Sequence, residues 1–229
     1  MKKIVVLTGA GISAESGIKT FRDADGLWEG HDIMEVASPI GWERNRKLVL
    51  DFYNKRRAQL LHVSPNEGHK ALVSLEKHYE ITIITQNVDD LHERAGNKSV
   101  LHLHGELLKV RSTKNENLIY NWDKNLNLGD VCENNSQLRP HIVWFGEEVP
   151  MLDQAIEITS EADILIIIGT SMQVYPAASL INFVKTAVPI YFIDPNPSIQ
   201  ENQHSNLTII PEKASTGVAK LVIELIGLK

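Results

Sequence analysis

Cysteine is nearly missing from this sequence, with Cys132 alone among 229 residues. A single thiol excludes an internal disulfide and cannot supply a multi-cysteine metal cage. Positive charge is also in deficit: 23 Lys+Arg stand against 29 Asp+Glu, for a formal charge of −6. That balance argues against nucleic acid as a partner, because phosphate binding is built on basic excess. Long apolar runs are lacking as well. The opening Met1-Lys2-Lys3-Ile4-Val5-Val6-Leu7 starts like a secretory leader, but its apolar run stops at Thr8-Gly9, too soon for a leader's core. The run Ile164–Ile168 falls well short of a membrane span. No internal repeat or low-complexity tract is evident. The expectation is a soluble, cytoplasmic chain with no membrane partner, long enough for one domain with a modest lobe inserted.

What is present is a set of short Ile/Val-rich runs: Ile4–Leu7, Ile81–Ile84, Ile164–Ile168 and Ile190–Ile193. They do not alternate with polar residues, which is how strands buried on both faces of a parallel sheet read. The fold class is therefore α/β. Each run ends in small or polar residues, Thr8-Gly9-Ala10-Gly11, Thr85-Gln86-Asn87, Gly169-Thr170-Ser171 and Asp194-Pro195-Asn196, and ligands of open α/β sheets bind at such carboxyl ends. Helical periodicity falls over roughly 44–62, 69–78, 153–161, 176–187 and 214–227. The stretch 111–138 is rich in Asn, Lys and Asp with scattered apolar residues, and reads as a small lobe or a mobile loop.

Gly9-Ala10-Gly11-Ile12-Ser13-Ala14 follows the first run and matches the G-x-G-x-x-[G/A] dinucleotide pattern, in which glycines permit a tight turn and a close approach to pyrophosphate. An ordinary strand-to-helix turn gives the same letters. The usual acidic ribose partner is not cleanly placed, since Asp23 and Asp25 lie in a loop. The histidines His102 and His104 sit at i and i+2 and face the same way along a strand. A metal pair is conceivable from that spacing, but no nearby third ligand suggests itself.

The order of motifs adds more. After the glycine segment come Gly17-Ile18-Lys19-Thr20-Phe21-Arg22-Asp23 and Gly26-Leu27-Trp28, then Thr85-Gln86-Asn87-Val88-Asp89 and Leu103-His104-Gly105. Arg139-Pro140-His141-Ile142-Val143-Trp144-Phe145-Gly146-Glu147 and Gly169-Thr170-Ser171 follow. This succession resembles the sirtuins, NAD-dependent protein-lysine deacylases, over nearly the whole chain.

The resemblance implies a Rossmann-type doubly wound parallel sheet with a small lobe formed by two insertions. The large domain would take residues 1–27, 72–105 and 139–229, and the lobe 28–71 and 106–138. NAD and an acyl-lysine protein or peptide would share the cleft between them, in a monomer. By the same resemblance, Gly9, Ala10, Gly11 and Ser13 would line the phosphates, and Phe21 and Arg22 would belong to the cofactor loop. Gln86, Asn87 and Asp89 would serve the ribose and nicotinamide pocket, with Ile18 beside Asp89. Gly169, Thr170, Ser171, Asp194 and Ala214 would reach the remaining ribose, phosphate and adenosine. His104 would be the general base, Asn87 would orient the ribose, and Val143, Phe145, Gly146 and Glu147 would meet the peptide. An imidazole suits a base at neutral pH.

In the branch of sirtuins that prefers acidic acyl groups, an Ala lies sixteen positions before a Tyr-x-x-Arg; Ala37 and Tyr53-Asn54-Lys55-Arg56 match that spacing here. Tyr53 and Arg56 share a helix face, and a phenol with a guanidinium fork suits a succinyl or malonyl carboxylate. The bland alternative is that Lys55-Arg56-Arg57 forms a solvated basic face. The chain also departs from most sirtuins, which hold a structural zinc with two Cys-x-x-Cys pairs in the lobe after the catalytic histidine. Here that lobe has only Cys132, so no zinc is expected and packing around Leu118, Ile119, Trp122 and Leu128 must replace it. Two other functions stay open: mono-ADP-ribosyl transfer, and a non-catalytic NAD-sensing module.

Overall fold

The computed structural model describes residues 1–19, 27–28, 30–200 and 205–227. In chain order its elements begin β1 (Lys3–Thr8), α1 (Gly11–Ala14), β2 (Leu27–Trp28), β3 (His31–Asp32), α2 (Ile33–Val36) and α3 (Pro39–Arg44). They continue α4 (Arg46–His62), α5 (Glu67–Leu75), β4 (Glu80–Thr85), α6 (Leu91–Ala95), β5 (Val100–His102), β6 (Gly105–Ser112) and β7 (Ile119–Asn121). The remainder is β8 (Leu138–Ile142), α7 (Leu152–Ser160), β9 (Ile164–Ile168), a 3₁₀ helix (Ala177–Phe183), β10 (Ile190–Ile193), β11 (Leu207–Ile210) and α8 (Ala214–Gly227).

Six strands form a sheet in the order β11-β10-β9-β1-β4-β5, with every neighbouring pair parallel. Its apolar runs are continuous because both faces are covered. Ile4 and Val6 of β1 pack with Ile81, Ile83, Ile164 and Ile166 against α5 and α8. Val5 and Leu7, pointing the other way, pack with Leu165, Ile167, Ile190 and Phe192 against α7 and the 3₁₀ helix. Each such side chain taken fully out of water contributes about 1.5–3 kcal/mol. From β1 the chain moves one way to β4 and β5, then returns past β1 to β9, β10 and β11, so the ends of β1, β4 and β9 meet at a topological switch point.

The lobe has its own apolar core, drawn from α2, α3 and α4 and from β6, β8 and the loop to Trp144. Segment 111–138 is ordered around a three-stranded antiparallel sheet, β7-β6-β8, so the mobile-loop alternative does not hold. Its packing also differs from expectation: Ile119 and Leu128 are exposed, whereas Leu126, Cys132 and Leu138 are buried. Leu118 and Trp122 pack at the margin of that core. Two turns meet where Cys132 Sγ donates to Ser112 Oγ at 3.4 Å, and Ser112 Oγ accepts from the amides of Lys114 and Asn115. One thiol, a hydroxyl and backbone amides do not make a zinc donor set; among the described residues no group of three or more His, Cys, Asp or Glu could hold a metal ion.

Residues 176–187, expected as an α-helix, form a 3₁₀ helix only over Ala177–Phe183. Among the described residues no helix is long and apolar enough to cross a membrane.

Candidate active site

A cleft of about 660 Å³ opens between the strand ends and the lobe. Its floor is the glycine segment pressed against the end of β9. A Cβ on Gly11 would sit 2.6 Å from Gly169 Cα, and one on Gly169, at φ +62°, would sit 2.4 Å from the Ile12 amide nitrogen. The Gly9 and Gly11 amides donate to the carbonyls of Ile168 and Gly169. The glycines are thus demanded first by loop against loop, and only then by any phosphate. Ala10, Ser13, Thr170 and Ser171 line the same floor.

Asn87 leaves β4 into this floor. Its amide group donates to the Gly9 carbonyl at 3.1 Å and to Ser13 Oγ at 3.2 Å. Ser13 Oγ donates in turn to Asp89 Oδ2 at 3.0 Å, and Asp89 Oδ1 accepts from the Leu91 amide. Burial raises the Asp89 pKa, with these two bonds working against the rise. Gln86 Nε2 donates to Thr170 Oγ1 at 3.1 Å, linking the ends of β4 and β9.

His104 lines the cleft beside them. Its Nδ1 lies 3.0 Å from the Gln86 carbonyl oxygen. A carbonyl only accepts, so the proton sits on Nδ1 and the Nε2 lone pair is the acceptor. Burial lowers the His104 pKa, keeping the ring neutral at physiological pH. His102, the other member of the i, i+2 pair, is engaged elsewhere, by Asn87 O and Glu93.

At the lobe end, α4 starts at the Asn45 cap, whose Oδ1 accepts from the Leu48 amide. Its inward face carries Val49, Phe52, Tyr53, Arg56, Arg57 and Leu60. Arg56 is 8 % exposed and Arg57 1 %, so the solvated-basic-face alternative fails for both. Arg57 donates to the Leu107 carbonyl and Asn54 Oδ1, joining α4 to the lobe sheet. Arg56 lines the cleft with Ala37 and Tyr53, its guanidinium 4.4 Å from the Trp28 ring centroid and 5.8 Å from that of Phe52.

Ile18, Val143, Phe145, Gly146, Asp194 and Ala214 also line the cleft. Phe21 and Arg22 lie outside the described residues. Some side chains expected to meet ligands are occupied within the protein. The Glu147 carboxylate accepts from Arg139 Nη1 at 2.6 Å and from the Trp144 amide at 2.8 Å. The amides of Val143 and Phe145 donate to the carbonyls of His104 and Ala37. Asp194 Oδ1 accepts from the Asn196 amide. Trp28, Lys19, Gln59 and Lys213 also line the cleft; of these, Trp28 and Lys19 carry a signal in the sequence, their places in the Gly26-Leu27-Trp28 and Gly17-Ile18-Lys19 motifs.

Residues 9–176 match the Sir2 family. The chain belongs to that family. A protein of Helicobacter pylori named NAD-dependent protein deacylase is 62 % identical over 230 residues, covering 100 % of this chain and 99 % of its own. A Sir2 homologue solved as an NAD complex superposes with a TM-score of 0.88 at 38 % identity, over 99 % of this chain and 90 % of that one. A Sir2 protein bound to an acetylated peptide gives a TM-score of 0.79 at 29 % identity, over 99 % and 94 % of the two chains. The Sir2 match places the sheet, the lobe and the cleft of this chain in one known architecture.

Proposed function

We propose that this Sir2 chain is an NAD-dependent protein-lysine deacylase that removes succinyl and malonyl groups, and acetyl as well, with His104 as general base. One observation carries the base assignment: His104 donates its Nδ1–H to Gln86 O, which leaves Nε2 as the acceptor, and the residue lines a cleft shared with Asn87 and the glycine floor. Bound NAD supplies a ribose carbon from which nicotinamide can leave and to which the acyl oxygen bonds. Asn87, fixed by Gly9 and Ser13, orients that ribose. His104 would take up the proton of a ribose hydroxyl and so make that oxygen a nucleophile toward the acyl carbon. With one water consumed, nicotinamide, free lysine and O-acyl-ADP-ribose would be the products. Loop-against-loop packing and the buried Ser13–Asp89 pair hold these groups in place before substrate arrives, which is where orientation lowers a barrier.

The acidic-acyl preference is supported by Tyr53 and Arg56, one turn apart and buried at the lobe end of the cleft beside the small Ala37. Hydrogen bonds to charged groups contribute about 1.5–3 kcal/mol, or roughly ten- to a hundred-fold in discrimination.

Matched succinyl- and acetyl-lysine peptides, assayed with wild type, Arg56→Met and His104→Ala, test both parts. Arg56→Met should lose desuccinylation selectively, and His104→Ala should lose all deacylation while still binding NAD. Equal preference for acetyl-lysine in wild type and Arg56→Met would remove the acyl pocket. Nicotinamide release with transfer of ADP-ribose to protein in His104→Ala would favour the transferase reading.

A further inference from the structure

His102 and His104 hold two successive carbonyls of the segment leaving β4. His104 Nδ1 is 3.0 Å from Gln86 O, and His102 Nδ1 is 3.1 Å from Asn87 O. The Asn87 amide donates to Thr85 Oγ1 at 3.0 Å, so the backbone of Asn87 is gripped on both sides. The registry of β4 with β5, Thr85 opposite His102, sets this up.

The two rings differ at Nε2. That of His102 lies 2.7 Å from Glu93 Oε1, on α6. A carbonyl oxygen can only accept, and so can an ionised carboxylate. Both nitrogens of His102 must therefore donate, which only the imidazolium can do. Around the ring stand Glu93 and His92 from α6, the buried Asp89 before it, and Glu106 from β6. Lys109 pairs with Glu106 at 2.6 Å. Burial works against the His102 charge, but Glu93 and then Glu106 outweigh it and raise its pKa. Burial likewise works against the Glu93 charge, and His102 overcomes it, holding that carboxyl below its ordinary value.

We propose that His102, kept protonated by Glu93, is a positioning residue that sets the peptide on the carboxyl side of Asn87 and thereby the aim of the Asn87 side chain. This rests on the reading above that Asn87 orients the ribose for His104. When His102 loses its proton, one nitrogen turns a lone pair toward an oxygen and one of the two bonds breaks. Activity should then decline on the alkaline side through the titration of His102, while His104 governs the acid side.

The test is the pH profile of kcat at saturating NAD and acetyl-lysine peptide for wild type, His102→Ala and Glu93→Gln, with Asn87→Ala as control. ADP-ribose affinity is measured alongside. His102→Ala should lower kcat by about 10- to 100-fold, as a misplacement near 1 Å does, with ADP-ribose affinity changed by less than about threefold. Glu93→Gln should abolish the alkaline limb, because an amide N–H can donate to Nε2 of a neutral His102. An unchanged kcat in His102→Ala, or an unchanged alkaline limb in Glu93→Gln, overturns the proposal. Should His102→Ala fail to fold, the Glu93→Gln profile decides alone. An active Asn87→Ala would instead overturn the underlying assignment of Asn87.

Discussion

Trp144 Nε1 donates to the Tyr53 hydroxyl at 3.0 Å, tying the loop after β8 to helix α4 across the wall of the cleft. The bond uses the Tyr53 oxygen as acceptor and leaves its own proton available to a ligand. Burial holds that proton by pushing the phenol pKa up, against the pull of the Trp144 bond.

Tyr53→Phe removes this donor and strands the indole N–H of Trp144, itself 3 % exposed. The expected cost to stability is about 1–3 kcal/mol by urea denaturation. Desuccinylation should fall at least roughly tenfold, the low end for a bond to a charged group, and deacetylation much less. An equal loss on both acyl groups would make Tyr53 a wall rather than a recognition group.

Glu147 should behave as the keystone of a buried ion cluster. It bridges Arg139 at 2.6 Å and Arg111 at 3.4 Å, while the Arg139 guanidinium carbon lies 3.3 Å from the Trp144 ring centroid. Burial works against its charge, yet the arginines hold its pKa below the ordinary value. A depressed carboxyl stabilises the fold above its unfolded pKa, and that contribution is lost as pH falls through the folded value. Glu147→Ala should cost about 3–5 kcal/mol at pH 7. Denaturation of Glu147→Gln and wild type from pH 7 to pH 3 should show their difference shrinking below about pH 4.5; a constant difference would refute the ionic account.

The His69 and His92 rings lie 4.9 Å apart in the interior. Burial lowers the His69 pKa to about 4 and that of His92 well below its ordinary value. Unfolded histidine binds its proton near pH 6.5. The unfolded chain therefore holds more protons between about pH 6.5 and pH 4, and stability must drop as pH falls through that window. His69 alone accounts for about 3 kcal/mol of this, at 1.36 kcal/mol per pK unit. Urea midpoints at pH 7.5 and 5 should differ strongly in wild type and less in His69→Leu. Matching slopes in the two proteins would show that His69 is not the group responsible.

Chelation should leave the lobe intact. Its two turns meet at Cys132 and Ser112, which offer no zinc donor set, so excess EDTA should shift Tm by less than about 1 °C. Cys132→Ala should lower Tm, because the Sγ contact and its packing are lost. A large chelator effect would point to a metal in the lobe.

The strands legible from the sequence were those buried on both faces, β1, β4, β9 and β10, whose short Ile and Val runs end in turn-forming residues. The edge β11 was not, being short and partly exposed; of β5 only a strand at His102 was legible, and it ends there, short of His104. In β6 and β8 the alternation is broken by Arg111 and Arg139, which are buried and share the Glu147 carboxylate. The shared face of Tyr53 and Arg56 follows from helical spacing alone. The Trp28 ring beside Arg56 does not, since the tryptophan arrives from a different element. The role of His102 is not legible in the sequence, because Glu93, whose carboxylate meets its Nε2, sits nine residues away on another element.

A lobe held by its apolar core, with one buried sulfhydryl in it, also bears on tolerance to oxidants. Where four exposed thiolates hold a metal, peroxide attack on any of them releases the ion and the fold with it. Here an oxidant finds a single sulfur, 5 % exposed and directed at a serine, with no second thiol in the chain to form a bridge. With its single cysteine, the lobe has no thiolate cluster for an oxidant to dismantle.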